Sequence, residues 1–323
     1  MKSRSLEDLG WCKHFEAAFA PYAEAGLVPA RLIRDNKITL GALTVEKGKF
    51  EEHEVILSGK VYHEAETDAE LPAVGDWVAL DLDADSEFPV IRARLPRLTC
   101  FSRKGSGFSA EEQVIAANVT TVAVVTDPGP DFNLRRLERY FAIIGRSGAS
   151  PVVVINKADL HTKKECDEAA AKVRALHPEA EIHVISALEK KGLRALQRHL
   201  APGATTAFIG SSGGGKSELV NALLGGEYQW TGEVDEGTGK GKHTTTAREL
   251  MVLRNGGIII DNPGIKEVQM WTDESTLRER FSDIAALSSE CQFADCKHGK
   301  DKGCAIQAAI KAGSLDASRL EAF

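Results

Sequence analysis

The sequence predicts three folded units in succession: a small β-barrel, a doubly wound α/β domain and a short helical domain built around a cysteine cluster. Short β-type runs fill the first third of the chain, and apolar β-branched runs then alternate with amphipathic helical segments. Three cysteines and one histidine crowd together near the C-terminus. A chain of 323 residues with 43% hydrophobic content is long enough for two or three domains.

The first unit is predicted to be a helical arm followed by a barrel. Residues 1–26 form the arm, because apolar residues recur there at loosely helical spacing. Residues 27–103 contain five β-type runs, a number typical of a barrel of the oligonucleotide-binding (OB) kind. The runs are VPARLI, KITLGALTV, HEVILSGKVYH, GDWVALDL and FPVIRARL. They equally allow a β-domain that acts only as a spacer or lid.

The second unit is predicted to contain a mostly parallel sheet. A polar connection over 104–115 precedes it, and the domain itself is expected over 116–275. The run TTVAVVTD fits a parallel strand covered on both faces. Further strand candidates are PVVVIN, EIHVIS, TTAFIG, RELMVLR and GGIIID. Helical segments, including GLRALQRHL, alternate with the earlier runs, which is typical of a doubly wound sheet. Residues 276–323 are then expected to form helices around the cysteines.

Composition excludes several classes of protein. The chain has no run of about 18 apolar residues and no signal peptide at its start, so we expect a cytoplasmic protein without a membrane partner. A formal net charge of −7 argues against general adhesion to nucleic acid, and we expect no DNA partner. RNA contacts would need local basic patches, although each patch, taken alone, is more typical of an ordinary solvated surface than of a binding site. They are Arg92, Arg94, Arg97, Arg103 and Lys104; Lys240 and Lys242; and Lys297, Lys300 and Lys302. No long apolar seam is present, so we expect a monomer.

A glycine-rich segment, Gly210-x4-Gly215-Lys216-Ser217, matches the phosphate-loop pattern between a strand candidate and a helical run. Its glycines let backbone N–H groups turn inward around phosphates. We expect Lys216 to reach the β- and γ-phosphates as a catalytic residue, and the Ser217 hydroxyl to coordinate Mg²⁺. The predicted nucleotide contacts of this loop are Gly210, Ser211, Ser212, Gly213, Gly214, Gly215, Lys216, Ser217 and Glu218. The loop alone does not choose between ATP and GTP.

Two further motifs make that choice. Asn156-Lys157-Ala158-Asp159 follows the strand candidate PVVVI and resembles the guanine-reading motif of GTPases. In those proteins the Asp carboxylate accepts hydrogen bonds from guanine N1–H and the exocyclic amine, whereas adenine would leave it unpaired and desolvated. Ser186-Ala187 matches the companion base-contacting motif. The base motif precedes the phosphate loop, the reverse of the usual order in a GTP-binding domain. A phosphate-loop kinase or ATPase is the alternative that this motif disfavours.

Asp261-Asn262-Pro263-Gly264 follows the run GGIII and matches the Asp-x-x-Gly element of GTPases. We expect Asp261 to assist Mg²⁺ through water and Gly264 to sense the γ-phosphate. A simple turn at the end of a strand is the alternative. The first switch belongs between the phosphate loop and Asp261, and one of its threonines should complete the Mg²⁺ shell. The possible threonines are Thr244, Thr245 and Thr246.

Ile265 stands where many GTPases carry the glutamine that orients the attacking water. Intrinsic hydrolysis should therefore be slow. Our hypothesis is that His243 positions the water once a partner orders the switch; a solvated loop histidine is the alternative.

The cysteine cluster has the spacing of a metal site. Cys291-x4-Cys296-x-His298-x5-Cys304 offers three thiolates and one imidazole, a complete tetrahedral shell for one structural Zn²⁺ ion. Few hydrophobic residues lie between these ligands, so the metal would supply much of the folding free energy of the loop. Chance clustering of reduced cysteines is the alternative.

Taken together, the reversed motif order, the segment IAANVTTVAVVTDPGPDFNLRRLERYF, the GKHTTT switch, DNPG and the cysteine cluster closely resemble the circularly permuted, ribosome small-subunit-dependent GTPase A family (RsgA, also called YjeQ). The resemblance covers nearly the whole chain. It implies an OB barrel, a permuted GTPase domain and a zinc domain. It also implies hydrolysis of GTP to GDP and phosphate in late maturation of the small ribosomal subunit, stimulated by that subunit and its rRNA.

The chain departs from the family pattern at a few positions. Asn262 replaces the more usual Thr or Ser, Glu218 replaces a small residue, and Phe323 stands where family members usually continue their last helix. The alternative function is a nucleotide-gated rRNA-binding module whose hydrolysis is incidental, which Ile265 slightly favours.

Overall fold

The computed structural model describes residues 3–36, 38–104, 112–210, 213–224, 249–261, 282–292, 296, 298–299, 303–315 and 320. Within these ranges, no helix combines the length and the apolar composition needed to cross a membrane.

The N-terminal arm packs against the barrel. It consists of a 3-10 turn, Leu6–Leu9, and helix α1, Lys13–Glu24. The side chains of Phe15 and Phe19 on α1 are buried. Trp11 meets Trp77 of the barrel edge to face, with the two ring centroids 4.7 Å apart. The arm is therefore an integral part of the N-terminal core.

The predicted five-stranded barrel is confirmed. Its strands are β1 Val28–Asp35, β2 Leu40–Glu46, β3 Lys49–Leu57, β4 Trp77–Asp81 and β5 Val90–Arg94. Antiparallel pairing joins β1 to β2, β2 to β3, β4 to β5 and β1 to β4. Parallel pairing of β3 with β5 closes the ring. This closed five-stranded order is that of an OB fold.

The predicted run HEVILSGKVYH is two elements and not one strand. Strand β3 ends at Leu57, and helix α2, Gly59–Glu64, follows it. The Ser58 side chain accepts a hydrogen bond from the backbone N–H of Val61 at 3.3 Å. A serine in this position caps a helix by satisfying one of its first free donors, which turns the chain out of the strand.

The connection expected over 104–115 is also partly a strand. Strands β6, Cys100–Lys104, and β7, Glu112–Ala117, form an antiparallel pair. Phe101 lies opposite Ala116 in this pair, and both side chains are buried. The apolar end of β7 therefore joins the core that connects the barrel to the α/β domain.

The α/β domain contains a six-stranded region of the large sheet, in the order β10-β9-β8-β11-β13-β12. Its strands are β8 Thr121–Thr126, β9 Ser150–Ile155, β10 Glu181–Val184, β11 Thr205–Gly210, β12 Glu249–Val252 and β13 Ile258–Asp261. All neighbours are parallel except β12 and β13. Every residue of β8 is buried, as predicted for a strand covered on both faces.

Helices cover this sheet and form the C-terminal unit. They are α3 Leu134–Ser147, α4 Lys163–Leu176, α5 Lys216–Leu224, α6 Ser282–Ser289 and α7 Ala305–Lys311. The helix expected over GLRALQRHL is a 3-10 helix, Leu193–Leu200, which Gly192 precedes in the left-handed conformation. Its buried residues are Leu196 and Leu200. In the C-terminal unit, Ile284 of α6 and Ile306 of α7 share a small core with Leu315.

One buried arginine ties the arm, the barrel and the α/β domain together. Arg31 on β1 is 1% exposed, and its guanidinium donates to the backbone oxygen of Leu9. It also donates to Gly75 O at 3.3 Å, Asn118 O at 3.2 Å and Thr205 Oγ1 at 2.9 Å. Burial lowers the pKa of Arg31 to about 10, although the charge of Asp76 opposes this shift. Thr205 begins β11, so this contact reaches the strand that leads into the phosphate loop.

Candidate nucleotide site and metal cluster

The base motifs and the phosphate loop meet at one edge of the sheet. Asn156 directly follows β9, Ser186 lies just beyond β10, and Gly210 ends β11. These strands are parallel, so their carboxyl ends lie at the same edge, where open α/β sheets bind ligands.

Asn156 connects the three loops directly. Its side chain is fully buried. The amide nitrogen Nδ2 donates to Gly214 O at 3.2 Å and to Gly215 O at 3.4 Å in the phosphate loop. The amide oxygen Oδ1 accepts a hydrogen bond from the backbone N–H of Ala187 at 3.0 Å. One side chain therefore fixes the distance between the base-contacting loops and the phosphate loop.

Asp159 is held by the second base-contacting loop. The Ser186 hydroxyl donates to Asp159 Oδ1 and accepts a hydrogen bond from the backbone N–H of Glu189 at 3.0 Å. The backbone N–H of Ala158 donates to Ile185 O at 3.0 Å. Asp159 itself is half-buried, so its carboxylate is oriented by the protein and still open to a ligand.

Asp127 is a residue of this edge that sequence reasoning missed. Lys157 has φ of 60° and its Nζ lies 3.0 Å from Asp127 Oδ2. Asp127 Oδ1 accepts a hydrogen bond from the backbone N–H of Gly129 at 2.8 Å. Its position in the sequence could have indicated this role, because Asp127 directly follows β8, whose carboxyl end lies at the same sheet edge.

The glycines of the phosphate loop are required by close packing. Gly215 has φ of +80°, and a Cβ there would lie 2.4 Å from Asn156 Nδ2. Gly210 has φ of +157°, and its Cβ would lie 2.3 Å from Val125 O. Any side chain at these two positions would push the loop away from Asn156 and from β8. Gly213 is exposed and Gly214 is buried.

Lys216 begins helix α5 and meets a carboxylate from another strand. Its Nζ lies 2.7 Å from Oδ1 of Asp261, the last residue of β13. The two side chains are 11% and 19% exposed. Ser217 and Glu218 follow on the first turn of α5 and are exposed. The cation and the carboxylate expected to handle phosphate and Mg²⁺ therefore lie in contact.

Several predicted site residues lie outside the described part of the chain. They are Ser211, Ser212, His243, Thr244, Thr245, Thr246 and Gly264.

The four predicted metal ligands come together between α6 and α7. Cys291, Cys296, His298 and Cys304 each offer a ligand atom, and these atoms all lie within 4.8 Å of one another. Cys291 Sγ is 3.9 Å from Cys304 Sγ and 3.6 Å from His298 Nδ1. Cys304 Sγ is 3.7 Å from His298 Nδ1. The cluster can hold a metal ion.

Neighbouring residues orient His298 and affect the protonation of Cys291. His298 Nε2 lies 3.2 Å from Ser288 Oγ, which leaves Nδ1 facing the sulfur atoms. Gln307 Nε2 donates to His298 O at 2.7 Å and so holds the backbone of this residue. Burial alone would raise the pKa of the Cys291 thiol, but backbone hydrogen bonds from Ala305 and Ile306, together with contacts from Cys296 and Cys304, lower that pKa.

The first basic patch is used partly inside the protein. Arg97 donates to both carboxylate oxygens of Asp76, at 2.8 Å and 2.7 Å. The Arg97 side chain is only 10% exposed. Arg92 pairs with Asp81 at 2.7 Å and is 45% exposed. Arg97 therefore holds the barrel together and is not available as an RNA contact.

These features define a class of protein. The parts of a P-loop GTP-binding domain are present: a phosphate loop after the central parallel strand β11, an Asp at the end of β13, and guanine-type motifs after β9 and β10. In the chain, the base motifs come first, so the domain is circularly permuted.

The chain belongs to the RsgA GTPase family, whose model matches residues 94–271. It is 44% identical to "Small ribosomal subunit biogenesis GTPase RsgA" of Opitutus terrae, over 99% of this chain and 88% of that protein. It is 39% identical to the protein of the same name from Methanosarcina acetivorans, over 97% of this chain and 82% of that protein. The chain is therefore a GTP hydrolase.

Two solved structures share the fold. YjeQ from Thermotoga maritima superposes with a TM-score of 0.61 at 22% identity, over 92% of this chain and 95% of that one. YloQ, described as a circularly permuted GTPase, superposes with a TM-score of 0.57 at 19% identity, over 92% of each chain. The permuted arrangement predicted from the motif order is thus confirmed.

Proposed function

We propose that this protein hydrolyses GTP as a switch that acts on the small ribosomal subunit during its biogenesis. The observation that carries the proposal is the contact of Asn156 with both the phosphate loop and Ala187. Relatives that match nearly the whole chain are named small ribosomal subunit biogenesis GTPases. The protein would work in the cytoplasm as a monomer.

Guanine recognition would fall to Asp159. Its carboxylate would accept hydrogen bonds from guanine N1–H and the exocyclic amine, with Ser186 holding the carboxylate in place. The backbone beside Ala187 would contact the base from the opposite loop. Desolvation of an unpaired Asp159 would disfavour adenine.

Phosphate binding would rearrange the contact between Lys216 and Asp261. The Lys216 ammonium would move to the β- and γ-phosphates, and Asp261 would be released to hold a water of the metal shell. Ser217 and a switch threonine would hold Mg²⁺ together with GTP, and the ion would supply positive charge against the charge that develops on the phosphates. Catalysis would then rest on positioning and charge stabilisation, with phosphoryl transfer directly to water.

Water positioning is assigned to His243, and γ-phosphate sensing to Gly264. Because Ile265 cannot orient water, another group must do so, and we propose that it is His243 once the partner orders the first switch. We expect His243→Ala to lose partner-stimulated turnover while it keeps GTP affinity. Full stimulated turnover in this variant would refute the assignment.

The metal of the cysteine cluster is proposed to be zinc. A tetrahedral ion with Zn–S bonds of about 2.3 Å has sulfur–sulfur separations of about 3.8 Å and sulfur–nitrogen separations of about 3.6 Å. Among Cys291, His298 and Cys304, the separations are 3.9 Å between sulfurs and 3.6 Å and 3.7 Å from sulfur to nitrogen, and all four ligand atoms lie within 4.8 Å of one another. Four protein ligands leave no open position, so the ion would be structural.

The competing function is a nucleotide-gated rRNA-binding module in which hydrolysis is incidental. Ile265 favours it, since the usual water-orienting glutamine is replaced. In both cases the barrel and the metal domain would face rRNA or ribosomal protein.

The test is a pull-down on purified small ribosomal subunits with the full chain. We expect more recovery with a non-hydrolysable GTP analogue than with GDP, because γ-phosphate would order the switch loops. Asp159→Asn, incubated with the same guanine nucleotides, is the control that weakens base recognition and should show no nucleotide-dependent difference in recovery. Equal recovery in both nucleotide states would count against the switch.

A further inference from the structure

We infer that Glu181, His183 and His199 form a second metal site, for a divalent transition-metal cation such as Zn²⁺. This site is separate from the cysteine cluster and belongs to the α/β domain. It does not depend on the function proposed above. The juxtaposition of two imidazoles and one carboxylate around a common point carries the inference.

The three side chains are brought together by two elements. Glu181 and His183 lie two residues apart on β10, so they project from the same face of this edge strand. His199 comes from the last turn of the 3-10 helix Leu193–Leu200. Thr206 Oγ1 donates to His199 O at 2.6 Å, which fixes the backbone of His199 against β11.

Their ligand atoms converge closely. His183 Nε2 lies 3.3 Å from His199 Nε2 and 2.5 Å from Glu181 Oε1. His199 Nε2 lies 3.1 Å from the same carboxylate oxygen. Ligand atoms arranged tetrahedrally around an ion at about 2.0–2.1 Å are about 3.3–3.4 Å apart. Two of the three separations match this geometry closely, and the third needs a shift of less than about 1 Å.

Hydrogen bonding alone explains the arrangement poorly. Each Nε2 can carry one proton or one lone pair. If both imidazoles donated to Glu181 Oε1, their two protons would face each other across the 3.3 Å between the nitrogens. A cation at the centre accepts a lone pair from each imidazole and from the carboxylate, which satisfies all three at once.

The exposure of the site suits a metal. The side chains of His183 and His199 are 8% and 14% exposed, and that of Glu181 is 31% exposed, so a cation can enter beside the carboxylate.

Arg198 is the competing cation at this place. Its guanidinium contacts Glu181 Oε1, and its side chain is 63% exposed. Because it is mostly in solvent, it can move to the other carboxylate oxygen when a metal binds. Two histidines and one carboxylate are also the ligand set of open zinc sites, which keep one position for water.

The proposed ligands lie at the two ends of the segment that contains the second base-contacting loop. His183 precedes Ser186 by three residues, and His199 follows the same loop before the chain enters β11. A metal here would join the two ends of the segment that carries Ser186 and Ala187. It would therefore stabilise that loop.

The test is equilibrium dialysis of the full chain, with the cysteine cluster already loaded, against buffered Zn²⁺ alone. Metal content is measured by elemental analysis. We expect one further equivalent per chain in the wild type. We expect none in the double variant His183→Ala/His199→Ala, and an affinity lower by at least about tenfold in Glu181→Gln. His63→Ala, which removes an exposed histidine elsewhere, should bind like the wild type.

Cobalt distinguishes the two sites in the same protein. Co²⁺ bound to nitrogen and oxygen ligands lacks the sulfur-to-metal charge-transfer band of a thiolate site, so the second equivalent should add only weak visible absorption. If the double variant unfolds, the metal affinity of Glu181→Gln becomes the deciding measurement. This substitution keeps the shape of a partly exposed side chain. Absence of a further equivalent in the wild type would overturn the inference, and so would equal binding by wild type and Glu181→Gln.

Discussion

Asn156 Nδ2 lies 3.2 Å from Gly214 O, although the two residues are 58 positions apart in the chain. The oxygen of the same amide accepts from Ala187, 31 positions away. Both contacts depend on the spatial order of β9, β10 and β11 and not on the order of the motifs in the sequence. This explains why a permuted chain still assembles one nucleotide site.

Replacement of Asn156 tests whether this amide holds the site together. Asn156→Ala leaves the N–H of Ala187 and two carbonyls of the phosphate loop without this partner. The loss should lower the free energy of unfolding by about 1–3 kcal/mol and weaken GDP binding by at least about tenfold. Urea unfolding and a fluorescent-nucleotide titration measure the two effects.

Asn133→Ala is the matched control for that experiment. Asn133 accepts from the N–H of Arg136 at 3.1 Å and caps helix α3, and it belongs to neither the phosphate loop nor the base-contacting motifs. Its loss should cost about 1 kcal/mol of stability and leave the GDP Kd unchanged. Equal nucleotide affinities in both variants would show that Asn156 has only a structural role.

Asp159→Asn tests base recognition. The variant exchanges a carboxylate that accepts two hydrogen bonds for an amide with one acceptor and one donor. It should lose on the order of 3 kcal/mol of GTP binding, about a hundredfold in Kd, and gain affinity for xanthosine triphosphate. A competition assay with GTP, ATP and xanthosine triphosphate measures this change. Asp167→Asn, at an exposed site on α4, should leave the order of preference as it is.

Arg31→Lys tests how much the hydrogen bonds of this guanidinium stabilise the contact between the barrel and the α/β domain. Lysine cannot supply donors in the directions of Leu9 O, Gly75 O, Asn118 O and Thr205 Oγ1. Buried acceptors would then lack partners, and we expect a loss of about 3 kcal/mol or more in the free energy of unfolding.

Arg92→Lys is the comparison for Arg31, since the Arg92 side chain is 45% exposed and pairs only at the surface with Asp81. It should change stability by less than about 0.5 kcal/mol. Similar small losses in both variants, measured by chemical denaturation, would contradict the structural role of Arg31.

Cys296→Ser tests the metal cluster. The variant lacks one of the four ligands, so we expect loss of its metal equivalent and faster proteolysis of the segment from α6 to α7. Cys12→Ser changes an exposed cysteine and should retain the metal. Full metal content in Cys296→Ser would rule out the four-ligand site.

Much of the fold was predictable because its signals are local. The β-branched runs predicted β8, β9 and β11, and the spacing of Cys291 to Cys304 predicted ligands that come together. The predicted end of the third β-type run was wrong, because Ser58 caps a helix that the periodicity of the sequence did not indicate. The domain boundaries proposed from the sequence stay a prediction.

The contacts that join distant elements were not predictable. Arg31 lies in an ordinary β-type run, and only the closed barrel places it against Thr205. The pairing of Lys157 with Asp127 depends on β8 and β9 being neighbours. Arg97 was predicted to belong to a basic patch, but its guanidinium forms an ion pair with Asp76. Such contacts are set by tertiary packing, which a local pattern does not contain.

We propose above that this site is a GTPase switch activated by the small ribosomal subunit. The most direct measurement is GTP turnover by the full chain, with and without purified small subunits, under saturating GTP. We expect slow hydrolysis by the protein alone and strong stimulation by the subunit. Subunit binding with no increase in turnover would contradict it and would support the nucleotide-gated RNA-binding alternative.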